Sequence, residues 1–262
     1  MPSLPRSFLC EPIAHRGLHD VTKGMQENSR PSFEAAIKGG YGIELDLQLS
    51  SDGEAMVFHD YMLERLTCES GPIRMRTAAE IRQIRLKVGD DPIMDLPNFL
   101  ELVKGRVPLL IELKDQDGAL GPDVGRLETR VAEVLAKYTG DVALMSLNPH
   151  SMAVMSKIAP NIPRGLTTCD FNAERWPMVP RKRAEELTKI LDFDLTDACF
   201  ISHDHRLLDA EPVTAVKVRG MPILCWTVRS SEQEIKARRL ADNITFEGYI
   251  PEKCSQSKDA DV

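Results

Sequence analysis

Two hydrophobic periods alternate along this chain. Short runs rich in branched aliphatics predict strands over Pro12–His15, Tyr41–Leu47, Val107–Leu113, Val142–Ser146, Pro163–Thr168, Cys199–Ser202, Pro222–Val228 and Ile244–Ile250. Between them, longer segments with polar and apolar residues mixed at helical spacing predict helices over Pro31–Lys38, Asp123–Tyr138, His150–Ile158, Arg181–Leu191, Val213–Arg219 and Ser230–Leu240. The punctuation agrees. Ser29 followed by Pro31 reads as an N-cap with a first-turn proline, Gly39-Gly40 stops that helix, and Gly140 and Gly220 close two others. Strands alternating with helices nearly from end to end indicate a parallel α/β fold, and eight of them favour a closed (β/α)8 barrel over an open doubly wound sheet.

One stretch breaks the rhythm. The run Glu54–His59 follows Tyr41–Leu47 too closely for a crossover helix, and Ser51-Asp52-Gly53 between them is a hairpin-turn signal. Glu54–His59 is therefore expected to fold back antiparallel, which sets His59 level with Leu45 and Asp46. Residues 60–106 then form a small insertion with two amphipathic helices, Ala78–Leu86 and Pro97–Val103, expected over or beside the barrel mouth. With no repeat or long linker, residues 1–262 read as a single domain ending in a polar tail, Ser255–Val262.

Composition and charge narrow the partners. The formal net charge is −7 and the pI about 5.5, so the overall field repels nucleic acid and anionic lipid, and a phosphate must be captured locally. No nucleic-acid partner and no stable membrane association are expected. The six cysteines form no Cys-x-x-Cys pair, and Cys199 and Cys225 sit in apolar runs as core residues do. The residues after Met1 lead into no apolar stretch long enough for a signal peptide or membrane span. These features point to the reducing cytoplasm.

The candidate chemistry follows from strand alternation. In Ile43-Glu44-Leu45-Asp46-Leu47 both carboxylates share one face and the aliphatics the other, and Ile111-Glu112-Leu113-Lys114 repeats the pattern. Aliphatics facing the helical layer leave Glu44, Asp46, Glu112 and Lys114 facing the barrel axis, at the strand ends where barrel active sites are built. Three converging carboxylates call for a cation, and oxygen-only ligands select a hard divalent ion, Mg2+ or Ca2+. His15 and His59 add two groups that exchange protons near neutral pH, Arg16 a fork for phosphate oxygens, and Lys114 a point charge. That set suits hydrolysis of an anionic phosphodiester.

His15-Arg16-Gly17, Glu27-Asn28-Ser29, Glu44-x-Asp46, His59-Asp60, Glu112-x-Lys114 and Trp226-Thr227-Val228 occur in the order in which they occur in the glycerophosphodiester phosphodiesterase family, and the chain resembles that family over roughly residues 12–251. The resemblance implies a TIM barrel that hydrolyses glycerophosphodiesters to sn-glycerol 3-phosphate and an alcohol. It implies Glu44, Asp46 and Glu112 as ligands of one divalent cation, His15 and His59 as the acid/base pair, and Arg16 and Lys114 as phosphate-holding groups, with Asn28 and Trp226 as further substrate-binding positions. In the family mechanism the glycerol 2-hydroxyl attacks phosphorus, the alcohol leaves, and water opens the cyclic phosphate. Two departures stand out: a longer loop from Gly17 to Glu27, and Glu247 where many members carry aspartate. Neither is expected to touch the metal or acid/base set.

Blander readings compete at several positions. Glu112 and Lys114 also suit a structural ion pair, and Trp226 suits the core as well as a platform for glycerol carbons. His203-Asp204-His205 reads as a solvated loop, His19 and His150 stand without companions, and Arg181-Lys182-Arg183 reads as an exposed helix start. Two functional alternatives stay open. One is a lysophospholipase D-type enzyme on acylated substrates, whose apolar channel the 60–106 insertion would form or block; the other is a non-catalytic binder of phosphate ligands.

Overall fold

A computed structural model describes residues 2–252 of the chain; Cys254 and the polar segment Ser255–Val262 lie outside the described residues. Eight parallel strands close into a barrel: β1 (Ile13–Ala14), β2 (Gly42–Leu49), β4 (Leu109–Leu113), β5 (Val142–Ser146), β6 (Arg164–Thr168), β7 (Phe200–Asp204), β8 (Ile223–Val228) and β9 (Asn243–Phe246). Closure comes through β1, which pairs with β9 on one side and β2 on the other. The extra strand β3 (Ala55–Val57) pairs antiparallel with β2 through Leu47↔Val57 and Leu49↔Ala55. The Phe58 amide then donates to the Asp46 carbonyl at 3.0 Å, which continues the register expected from the Asp-Gly turn.

Seven helices form the outer layer: α2 (Arg30–Gly39), α4 (Leu96–Val103), α5 (Arg126–Leu135), α6 (Pro149–Ile158), α7 (Arg181–Thr188), α8 (Glu211–Val218) and α9 (Ser231–Ala237). Two single turns, α1 (Ser7–Cys10) and α3 (Ala78–Ile81), lie outside that layer. The hydroxyl of Ser29 caps α2 and Gly40 ends it with φ 67°; such a cap is worth about 1 kcal/mol. The main core lies between strands and helices, where Ile43, Leu45 and Leu47 meet Phe33, Phe99 and Val131. Each such aliphatic contributes about 1.5–3 kcal/mol by leaving water. Inside the barrel Leu110, Met145, Phe200 and Leu224 pack with Phe8 of α1 and fill the N-terminal end.

Two expectations for the insertion need correction. Ala78–Leu86 is not one helix: α3 stops at Ile81 because Leu86 hydrogen-bonds back to Asp91 around Gly89 and Asp90, both with positive φ. The second helix, α4, does not sit over the mouth but buries Leu96, Phe99 and Val103 in the main core as the crossover from β2 to β4. What remains has its own cluster, with Phe58, Leu63, Leu66, Ile73, Ile81 and Ile93 at its centre. Among the described residues no helix is long and apolar enough to cross a membrane.

Candidate active site

Strand geometry assembles the acidic cluster. Glu44 and Asp46 point into the barrel from β2, and Asp46 stands level with Glu112 of β4. All three side chains are buried, and one oxygen from each lies within 4.8 Å of the others. The C-terminal ends of β4 and β1 bring two cations to the cluster. Lys114 Nζ lies 2.8 Å from Glu112 and 3.5 Å from Asp46, and Arg16 Nε lies 3.3 Å from Asp46. Two fixed cations do not balance three carboxylates. Burial raises the carboxyl pKa of Glu44 well above its ordinary value, reinforced by Asp46 and Glu112. Asp46 is held far below the carboxylate range: burial opposes its charge, but His59, Lys114 and Arg16 outweigh it. The trio thus carries uncompensated negative charge that a bound cation would relieve.

The β1 end carries His15 and Arg16. Gly17 is required there, because at φ 79° an added Cβ would stand 2.6 Å from the Ser32 hydroxyl and 2.9 Å from its backbone. Arg16 and Asn28, both at positive φ, are locked together where the Asn28 amide donates to the Arg16 carbonyl at 2.9 Å. Asn28 Nδ2 donates to Asp46 at 3.1 Å, while its buried Oδ1 has no protein partner. The Arg16 amide donates to Glu44 at 2.9 Å, and its guanidinium to Glu27 at 2.6 Å. Burial works against the Arg16 charge, but Asp46, Glu27 and Glu44 hold its pKa above the ordinary value.

His15 turns Nε2 toward the cluster, 3.9 Å from Glu44, and Nδ1 toward Glu247, 2.5 Å away. Glu247 therefore touches the histidine directly, contrary to the expectation that it lay apart from the acid/base set. The pairing of β1 with β9 brings together residues at opposite ends of the chain. His19 Nε2 is also 3.6 Å from Glu247, and Arg229 donates to the same carboxylate at 2.7 Å. Burial lowers the His15 pKa below its ordinary value despite Glu247, favouring the neutral imidazole.

His59 arrives on the returning hairpin. Its carbonyl accepts from Gln48 at 2.9 Å, and Nδ1 meets Asp60 at 2.6 Å. Asp60 is held well below the usual carboxylate range; burial raises it, but His59 and Arg65 lower it further. Sequence reasoning gives no role to Asp60 or Glu247, each of which stands behind a histidine. The i, i+1 adjacency of His59-Asp60 is a usable signal for the first; only barrel closure reveals the second.

A cavity of 580 Å³ opens over these groups, lined by His15, Arg16, Glu44, Asp46, His59, Glu112 and Lys114. Met62, Leu120, Met145, Leu147, Trp176 and Trp226 add an apolar wall to its lining, with Arg175 and Arg229 beside them. Trp226 is part core and part cavity wall. Nε1 donates to the Ser202 carbonyl at 2.9 Å, and the ring lines the cavity while packing on the cluster around Leu120 and Phe171. The insertion supplies only the rim residues Asp60, Tyr61 and Met62. His203, expected in a solvated loop, is instead buried on β7 beside Thr168, at 2.7 Å, because the strand runs on through Asp204; burial lowers its pKa to about 4. It does not line the cavity.

Comparison with known proteins agrees with this geometry. The sequence matches the glycerophosphoryl diester phosphodiesterase family over residues 15–245. It is 29% identical over 230 residues to a glycerophosphodiester phosphodiesterase of Caldanaerobacter subterraneus, covering 84% of this chain and 86% of that one. A Bacillus subtilis glycerophosphodiester phosphodiesterase is 27% identical, with coverage of 88% and 79%. Among solved structures, an Oleispira antarctica phosphodiesterase in complex with the product sn-glycerol-3-phosphate superposes with a TM-score of 0.74 at 23% identity, over 92% of this chain and 94% of that one.

Proposed function

Since the chain belongs to the glycerophosphoryl diester phosphodiesterase family and is an enzyme of that class, we propose that it hydrolyses glycerophosphodiesters with one divalent cation and a pair of histidines. The observation that carries the reading is one cavity whose lining brings together the imidazoles of His15 and His59, the cations Arg16 and Lys114 and the carboxylate trio Glu44, Asp46 and Glu112. Glu44, Asp46 and Glu112 fit a hard cation such as Mg2+ or Ca2+, by their oxygen-only donor set and their uncompensated charge. When bound, the ion draws charge from the phosphate oxygens and so favours attack at phosphorus. Arg16 and Lys114 flank the carboxylates and hold the diester phosphate. The unpartnered Oδ1 of Asn28 accepts from a glycerol hydroxyl.

The imidazoles divide the proton transfers. One accepts the proton of the attacking hydroxyl while the other donates to the departing alcohol, and the roles reverse when water opens the cyclic product. The carboxylate on each Nδ1 fixes the tautomer and leaves Nε2 for the substrate. A pure binding protein has no use for such a matched pair. sn-Glycerol 3-phosphate, the ligand of the Oleispira neighbour, is the product this reading expects. The apolar wall favours a second reading for the alcohol side, an acylated or otherwise apolar leaving group. Of the 60–106 insertion, expected to form or block such a channel, only Met62 joins that wall; the rest comes from Met145, from Leu120, Leu147 and Trp176 beyond β4, β5 and β6, and from Trp226 of β8. The unpaired cysteines among the described residues favour the cytoplasm.

The test is turnover of glycerophosphocholine with and without Mg2+ or Ca2+, with sn-glycerol 3-phosphate measured as product. The 2-deoxy analogue should inhibit comparably and barely turn over, since it lacks the tethered nucleophile. Release of phosphocholine instead, or equal turnover of the two substrates, would contradict the reading.

A further inference from the structure

Arg65 lies outside every motif of the sequence and does not line the cavity, yet its guanidinium joins both sides of the site. Nε and Nη2 donate to the two oxygens of Asp60 at 2.6 and 2.8 Å. Nη1 and Nη2 donate to the two oxygens of Glu27 at 2.7 and 2.7 Å. Asp60 Oδ1 is the oxygen that meets His59, and Glu27 Oε1 is the one that receives Arg16. A continuous run of charge-assisted bonds therefore leads from the His59 imidazole to the Arg16 guanidinium, with Arg65 at its midpoint. Among the described residues no other arginine or lysine pairs with Asp60.

We propose that Arg65 is a positioning residue that locks His59 and Arg16 into one unit, through Asp60 on one side and Glu27 on the other. The inference rests on the reading that these two groups act on the substrate. The surrounding backbone is built to hold the fork. Arg65 sits in a turn anchored by the buried Leu63 and Leu66, where the Thr67 amide donates to the Leu63 carbonyl at 3.0 Å. The longer Gly17–Glu27 loop docks on the same turn: buried Gln26 donates to the Leu66 carbonyl at 2.8 Å and accepts from the Val88 amide at 3.0 Å. The same loop also packs on the turn between Leu86 and Asp91, where a Cβ at Gly89 would stand 2.5 Å from the Gly24 carbonyl oxygen.

Arg65 is itself 46% exposed on its side chain, so its ion pairs add little to stability, and its consequence lies in geometry. Without it, Asp60 and Glu27 lose the cation they share, leaving Asp60 only His59 and Glu27 only Arg16 as charged partners among the described residues. Asp60 then turns from His59, and Glu27 draws Arg16 off the phosphate. The His15 side has no counterpart to this bridge. Among the described residues the Arg229 guanidinium holds Glu247 and otherwise reaches only the Thr227 carbonyl, while its amide donates to the Gln233 side chain.

The experiment measures kcat on glycerophosphocholine and calorimetric affinity for sn-glycerol 3-phosphate in the metal-loaded enzyme. Arg65→Met should lower kcat by roughly 10- to 100-fold, the scale of a small misplacement of a reacting group. It should weaken product binding by roughly tenfold, the scale of one charge-assisted contact. The branches then separate. In an Asp60→Asn background, removing Arg65 should cost no further kcat yet still weaken product binding. In a Glu27→Gln background the pattern should invert. Arg65→Lys, which keeps part of the contact and also stands in if the methionine variant fails to fold, should recover part of both losses. Unchanged kcat and affinity, or undiminished losses of both in both backgrounds, would overturn the proposal. A wild type that does not turn over glycerophosphocholine would instead defeat the functional reading. The coupling is then read from the nitrogen-15 shift of His59 Nδ1, which Arg65→Met must move and Arg229→Met must not. A His59 resonance unmoved by Arg65→Met overturns the proposal in either case.

Discussion

The two histidines reach one strand edge from opposite ends and are held there by different material. β1 covers β2 only at Gly42 and Ile43, and β3 covers it from Leu47 onward. In continued register, His15 leaves β1 level with Glu44, and His59 leaves the hairpin level with Leu45. The gap between the two partner strands is where both imidazoles meet the carboxylates. His15 is held by the barrel: its amide donates to the Phe246 carbonyl at 2.9 Å, and Glu247 follows on the next strand. His59 is held by polar cross-links from a segment with its own small core, through Asp60 and Arg65. A support made of strand pairing is fixed by the closure of the whole fold. A support made of side-chain bonds can be cut one bond at a time, and its loss should be felt in chemistry more than in folding.

The largest effects test what both sides share. Exhaustive chelation should abolish turnover, and Mg2+ or Ca2+ should restore it; Glu44→Gln or Asp46→Asn should weaken metal binding measured by calorimetry while the fold persists. Full activity after chelation would remove the metal from the account. Replacing either His15 or His59 by alanine should lower kcat by about two to four orders of magnitude with far smaller changes in substrate affinity. Near-normal turnover in either variant would remove that histidine from the mechanism.

The supports themselves should differ. Asp60→Asn should cost roughly 10- to 100-fold in kcat, the range for partners that orient a reacting ligand, and Glu247→Gln less, because pairing of β1 with β9 still places His15. Equal losses would erase the distinction between the two supports. Stability should follow pH with a defined sign. Both carboxyl groups are held below their ordinary range: burial opposes the charge, but His15, His19 and Arg229 overcome it at Glu247, and His59 and Arg65 at Asp60. Their contribution is therefore complete above the unfolded pKa, about 4, and is lost as pH falls toward the depressed folded value. The gap in unfolding free energy between wild type and each amide variant, about 1–2 kcal/mol at pH 7, should narrow in urea titrations as pH drops to 4 and below. A gap that widens on acidification would contradict the pairing. The smallest effect concerns the apolar wall: Trp226→Leu should change KM by a few fold, more for alcohols with an apolar body than for ethanolamine.

Much of this architecture is legible in the amino-acid sequence. Alternation along Ile43–Leu47 and Ile111–Lys114 places the carboxylates and Lys114 on one face, since a period of two leaves a strand no choice once its aliphatics are buried. The Asp-Gly turn sets the level of His59. Local signals fail where the answer lies in non-local pairing. Glu247 meets His15 only because the last strand closes on the first, and nothing near either residue announces it. The helix expected over Ala78–Leu86 breaks because the segment finds backbone partners at Asp91, a tertiary choice that overrides helical spacing. Arg65 resembles any exposed arginine until two loops bring two carboxylates to it.

The central claim is that two differently supported imidazoles work as one acid/base pair, and the double variant tests it most directly. If each proton transfer needs both histidines, the first loss already disables the pair, and the second costs little more. The account predicts a kcat for His15→Ala/His59→Ala within about tenfold of the slower single variant, measured on glycerophosphocholine at saturating metal. A double loss equal to the product of the two single losses would show the histidines acting independently, and would contradict it.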